Sequence, residues 1–120
     1  MECSATYIAP VHVIKLSGSW NSSSAPAFEE YCEELEQREK LRFVVLDLHD
    51  VQYVSSFGLR ALLNLAKKLE RFQGGVHVVG LSPEVHKVFE GCGFLSLFPE
   101  FSDAGDARQA FLNRNGQPGN

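Results

Sequence analysis

Two adjacent serines, Ser55 and Ser56, stand where an apolar run gives way to an amphipathic one, in the segment LRFVVLDLHDVQYVSSFGLRALLNLAKKLERF from Leu41 to Phe72. The Ser-Ser-x-Gly-Leu step places a hydroxyl at the start of a helix. There the first-turn N–H groups have no intrahelical partner and the positive end of the helix dipole faces outward. Such a position suits a negative charge, so the chemistry on offer is acceptance of a phosphate or another anion, and Ser56 is the residue in question. Arg60, one turn further on, is within reach of an anion at Ser56. Gly58 removes a side chain where the sheet or a partner approaches the helix start. The plainer use of a serine here is capping, which contributes about 0.5–2 kcal/mol, and spacing alone favours it.

Other reactive arrangements are poorer. A strand, a serine turn and a helix also describe the nucleophile elbow of α/β-hydrolases, but Val54 stands where the first glycine of Gly-x-Ser-x-Gly belongs. No acid–histidine pair follows the serine, so a hydrolase is disfavoured and the chain reads as a non-enzyme. His12, His49, His77 and His86 have no zinc-ligand spacing, and Asp47 with His49 reads as a hydrogen-bonded strand end. No Gly-x-x-x-x-Gly-Lys run is present. Cys3, Cys32 and Cys92 are widely spaced; Cys32 and Cys92 fall on apolar helix stripes and read as buried structural thiols. No metal and no cofactor is expected.

Positioning Ser56 requires alternating strands and helices. Cys3 to Ile8 and His12 to Leu16 read as strands broken at Pro10. Ser24 and Pro26 open a helix that runs to Gln37 and buries Phe28, Tyr31, Cys32 and Leu35. Phe43 to Leu48 is an apolar, β-branched and aliphatic run interrupted only by Asp47, as in a strand buried on both faces. In the helix after Ser56, Leu59, Leu62, Leu63, Ala66, Leu69 and Phe72 form the inner stripe and Arg60, Asn64, Lys67, Lys68 and Arg71 the outer one. Gly74 and Gly75 end that helix before a strand at Val76 to Val79. Ser82-Pro83 starts a helix burying Val85, Val88, Phe89 and Cys92. Leu95 to Phe98 reads as a short edge strand or extended segment, and Ser102 or Asp103 caps a last helix burying Ala107, Ala110 and Phe111.

A chain of 120 residues with 44% hydrophobic content suffices for one cored domain. No apolar run approaches the ~18 residues of a membrane span, and MECSATYIAP lacks the pattern of a secretory signal, so a cytoplasmic protein without membrane insertion is expected. A net charge of −4 argues against nucleic acid as a partner. Glutamates crowd the first helix, whereas Arg60, Lys67, Lys68 and Arg71 give the Ser56 helix a basic stripe suited to an acidic protein face.

The segment VVLDLHDVQYVSSFGLRALL resembles the signature of the STAS domain, the fold of bacterial anti-sigma factor antagonists and of the cytoplasmic tails of SulP-type anion transporters. VIKLSGSW, GGVHVVGLSPEVHKVFEGCGFLSLF and a last helix near Asp103 to Asn113 extend the likeness from about Val11 to Phe111. It implies an α/β fold: a small mixed β-sheet of four to five strands with about four helices packed mainly on one face. A single domain over residues 1–113 and a flexible tail at 114–120 are expected.

In the antagonists the phosphoacceptor lies two residues before the glycine, which here is Ser56, with Ser55 the less favoured hydroxyl. The resemblance implies an anti-sigma factor acting as a serine kinase, together with a phosphatase, as partners, contacted through Asn21, Ser55, Phe57, Gly58, Arg60, Asn64 and Lys67. Ser55 and Asn21 stand where many sporulation-type members are acidic, and Phe57 replaces a small residue, so either kinase recognition is expected to differ or phosphorylation to be absent. The alternative is a STAS subunit or excised domain of an anion or lipid transporter, docking on a transporter component without phosphorylation.

Overall fold

A computed structural model describes residues 1–115. The chain opens with a hairpin in which β1 (Glu2–Ile8) pairs antiparallel with β2 (Val11–Ser17). Three helical crossovers then add parallel strands. Helix α1 (Ala25–Glu39) leads to β3 (Phe43–Asp50), α2 (Ser56–Glu70) to β4 (Gly75–Val79), and α3 (Pro83–Gly91) with the short α4 (Phe94–Leu97) to β5 (Glu100–Phe101). The sheet order is β1-β2-β3-β4-β5, parallel from β2 onward. Helix α5 (Ala104–Asn115) follows, continuing two residues past the expected boundary, and the remainder of the expected tail lies outside the described residues.

Strand alternation sorts the core into two layers. Ile14, Leu16, Val44, Leu46, Leu48, Val76 and Val78 point to the side covered by α1 to α4, where Phe28, Leu35, Leu62, Leu65, Leu69, Val85 and Phe89 meet them. Val11, Phe43, Val45 and Val79 point to the other side and are covered by Ala107 and Phe111 of α5. Both faces of β3 are thereby buried from Phe43 to Leu46, the reason that this stretch is apolar throughout. The expected mixed sheet with helices mainly on one face is found, with five helices among the described residues where about four were expected.

Several local expectations are corrected. Leu95 to Phe98 is a helical turn: Phe94 and Phe98 face the core four residues apart, and Phe98 N donates to Phe94 O at 2.7 Å. The pairing strand is Glu100–Phe101. Cys92 is exposed, since α3 ends at Gly91 and leaves it as the C-cap. Val88 is partly exposed, as is Phe72, which lies beyond the last turn of α2. Leu63 is only half buried, whereas Leu65, absent from the expected stripe, is buried.

Helix α5 is held through His77 of β4. Its ring stacks on Phe111 with centroids 3.6 Å apart and planes at 3°. His77 Nδ1 lies 3.0 Å from Ala107 O; a carbonyl only accepts, so Nδ1 carries the proton. Burial holds the imidazole below its ordinary pKa and the Arg114 guanidinium adds to this, while the bond to Ala107 opposes it. The fold therefore prefers the neutral ring. This contribution is present above the unfolded-state pKa of about 6.5 and is lost as pH falls toward the depressed folded value. Urea midpoints at pH 7.5 and 5.5 should fall further for the wild type than for His77→Phe. Equal falls would show that His77 does not set the acid response.

Candidate functional site

The start of α2 is fixed by the loop that precedes α1. Trp20 and Val54 form an isolated parallel bridge: Trp20 N donates to Tyr53 O at 2.9 Å and Ser55 N donates to Trp20 O at 2.8 Å. The Trp20 ring is fully buried, edge-on to Phe28 at 4.9 Å. Gly58 is buried on top of it, and a Cβ there would stand 2.8 Å from Trp20 Cγ and 2.9 Å from Val54 Cγ2. The glycine is thus required by the packing beneath the helix; it faces the core and not a partner.

The two serines have different tasks. Ser55 is the N-cap in extended conformation, and its hydroxyl accepts from Phe57 N at 3.2 Å. Ser56 is the first helical residue; it is exposed, and no protein hydrogen bond engages its hydroxyl among the described residues. The capping role that spacing suggested for Ser56 therefore belongs to its neighbour. Ser55→Ala should cost about 1 kcal/mol of stability. Ser56→Ala should change it by less than about 0.5 kcal/mol, both measured by urea denaturation. The reverse order would mean that Ser56 is the cap.

At 100° per residue, Arg60 and Lys67 lie within about 40° of Ser56 around the helix axis and point outward. Both are exposed, and neither has an ion-pair partner among the described residues. Asn64 is turned toward α1, where its Nδ2 donates to Glu29 Oε2 at 3.2 Å. Lys68 likewise reaches Glu33 at 3.6 Å. Asn21 is half-buried, and its Oδ1 accepts from Ser23 N at 2.9 Å and Ser24 N at 3.2 Å. Its carbonyl is thus used in shaping the loop. Of the expected contact residues, Ser55, Phe57, Arg60 and Lys67 share the surface with Ser56, while Gly58 and Asn64 face inward.

Tyr53 is not among the residues that spacing singles out. Its side chain is 56% exposed and that of Phe57 is 52% exposed, so an aromatic ring stands uncovered on each side of Ser56 along the chain. The signal was the Val-x-Tyr-Val order: Val51 and Val54 are both buried and hold the segment down, leaving Tyr53 outside. α1, α2 and α3 all begin just past the C-terminal ends of parallel strands, collecting positive helix ends at one end of the sheet.

The remaining candidates stay structural. His49 Nδ1 lies 2.6 Å from Asp47 Oδ1, and the same oxygen accepts from His49 N at 3.0 Å, a local strand-end arrangement. Burial, with Cys3 adding to it, pushes the Cys32 thiol up to about 12. Among the described residues no cluster of three His, Cys, Asp or Glu side chains would hold a metal. No helix among them is long and apolar enough to cross a membrane.

The architecture is a mixed five-stranded sheet in the order β1-β2-β3-β4-β5, covered on both faces, with a serine exposed at the start of α2. The STAS domain profile matches residues 4–107, and the chain belongs to the STAS domain family. It is 42% identical over 97 residues to BtrV of Bordetella bronchiseptica, a provisionally assigned anti-sigma factor antagonist, covering 80% of this chain and 82% of that protein. Its fold is similar to that of the anti-sigma factor antagonist SpoIIAA in its unphosphorylated form, with TM-score 0.76 and 16% identity over 97% of this chain and 98% of the other. The murine Slc26a9 anion transporter contains the same fold, with TM-score 0.71 and 18% identity over 92% of this chain and 19% of the transporter.

Proposed function

We propose that this chain is an anti-sigma factor antagonist that works by phosphorylation-controlled partner switching. In the unphosphorylated form it binds an anti-sigma factor that is also a serine kinase, and so frees the target which that protein holds. The kinase transfers the γ-phosphoryl group of ATP to Ser56 Oγ and the complex separates; a phosphatase removes the phosphate and restores binding. The chain itself catalyses nothing, requires no cofactor, and acts in the cytoplasm.

The observation that carries this reading is the division of labour at the helix start. Ser55 caps α2, so the Ser56 hydroxyl is exposed and uncommitted at a place where first-turn amides and the dipole favour an anion. The likeness to BtrV adds support, as do the unphosphorylated and phosphorylated forms described for SpoIIAA. Incubation of the chain with ATP and its serine kinase, followed by peptide mass spectrometry, tests the assignment. Phosphate on Ser56 is expected. Phosphate on Ser55 or another residue would refute the assignment, and none at all would leave docking on a transporter component as the better reading.

A further inference from the structure

We infer that Tyr53 and Phe57 make the switch sensitive to charge, by forming an apolar collar that excludes water from Ser56 when the partner is bound. The inference rests on the partner-switching reading and concerns how a phosphate becomes a loss of affinity. Tyr53 and Phe57 are more than half exposed, whereas most large apolar side chains of the chain are in the core.

Their backbone is held firmly. Tyr53 O accepts from Trp20 N at 2.9 Å between the buried Val51 and Val54, and Phe57 N donates to Ser55 Oγ at 3.2 Å in the first turn of α2. Rigid, exposed aromatic side chains are the residues that anchor protein interfaces, and the contacts around such anchors keep water out. The unpaired Arg60 and Lys67 continue the same outward stripe and suit a partner with an acidic border. The partner is thus a folded protein with an apolar recess for the two rings and carboxylates along one side.

On a wet surface a phosphate between the two aromatics would keep its hydration and cost the complex little. Within a dry collar it loses that hydration, and the complex bears a desolvation cost that the helix dipole and Arg60 only partly offset. The aromatic residues and the charge should therefore act non-additively.

A double-mutant cycle against the serine-kinase partner, read by titration calorimetry, tests this. In the otherwise native chain Ser56→Asp should weaken binding at least ~10-fold. In a Tyr53→Ser, Phe57→Ser background the same change should weaken it less than about threefold, and a Tyr53→Leu, Phe57→Leu background should restore most of the penalty. Where the double background binds too weakly to titrate, Tyr53→Ser alone completes the cycle. An equal penalty in serine and aromatic backgrounds would overturn the inference and leave the switch standing. No penalty in the native background would overturn the switch, and the inference with it.

Discussion

Trp20→Ala should lose about 3–5 kcal/mol of stability, the range for truncating a buried large aromatic side chain. Trp20 is fully buried, packs edge-on against Phe28 and lies under Gly58, so its removal leaves a void between both long helices and the sheet. Against a typical domain stability of about 5–15 kcal/mol the loss is large. The damage is greatest at the functional end, because the Trp20 bridge to Val54 sets where α2 begins. Trp20 is the chain's one tryptophan, so urea denaturation followed by far-ultraviolet circular dichroism is the suitable measurement. A loss below about 1 kcal/mol would mean that the loop before α1 does not position Ser56.

Ser56→Asp should fold normally yet bind the serine-kinase partner at least ~10-fold more weakly, a loss of about 1.4 kcal/mol. Within the domain the new carboxylate sits at the first helical position, where the dipole favours it by about 0.3–1 kcal/mol. Arg60 lies one turn away on the same face, and Ser55 keeps the cap. The thermal midpoint should therefore hold or rise slightly. The partner meets a charge where it had packed on a neutral hydroxyl, and desolvating that charge costs more than the helix dipole and Arg60 return. Calorimetric scanning of the folded state and titration against the partner separate the two effects. A lowered midpoint would assign the weakened binding to misfolding and not to charge.

Hydrophobic periodicity was enough to place β2, β3, β4, α1, α2 and α3, because each buries a regular face. Phe43 to Leu48 announced a doubly covered strand, and Ser82-Pro83 a helix start that the Ser82 hydroxyl does cap, accepting from Val85 N at 3.2 Å. The segment from Phe94 to Phe98 misled, since a five-residue stretch with four apolar residues around Ser96 fits a strand or one helical turn equally well. Cys92 and Phe72 failed just past helix ends, where a periodic pattern continues in sequence after the helix itself has stopped, while Val88 lies within α3 on its partly exposed side.

At the site, the serine pair and the outward direction of Arg60 and Lys67 were legible from spacing. Which serine caps was not, because either hydroxyl satisfies the same preference and only the backbone geometry decides. Spacing leaves open whether Gly58 makes room for the sheet or for a partner, and it is Trp20, distant in sequence, that occupies the space. Tyr53 went unnoticed because exposure of an aromatic in a turn depends on how firmly its neighbours are buried.

The most direct test of partner switching is one calorimetric titration series on a single sample: unmodified, after stoichiometric phosphorylation by the serine kinase, and after phosphatase treatment. The account predicts tight binding, at least ~10-fold weaker binding, and full recovery in that order, with the phosphate on Ser56 and the fold intact throughout. Equal affinity at all three stages would contradict it.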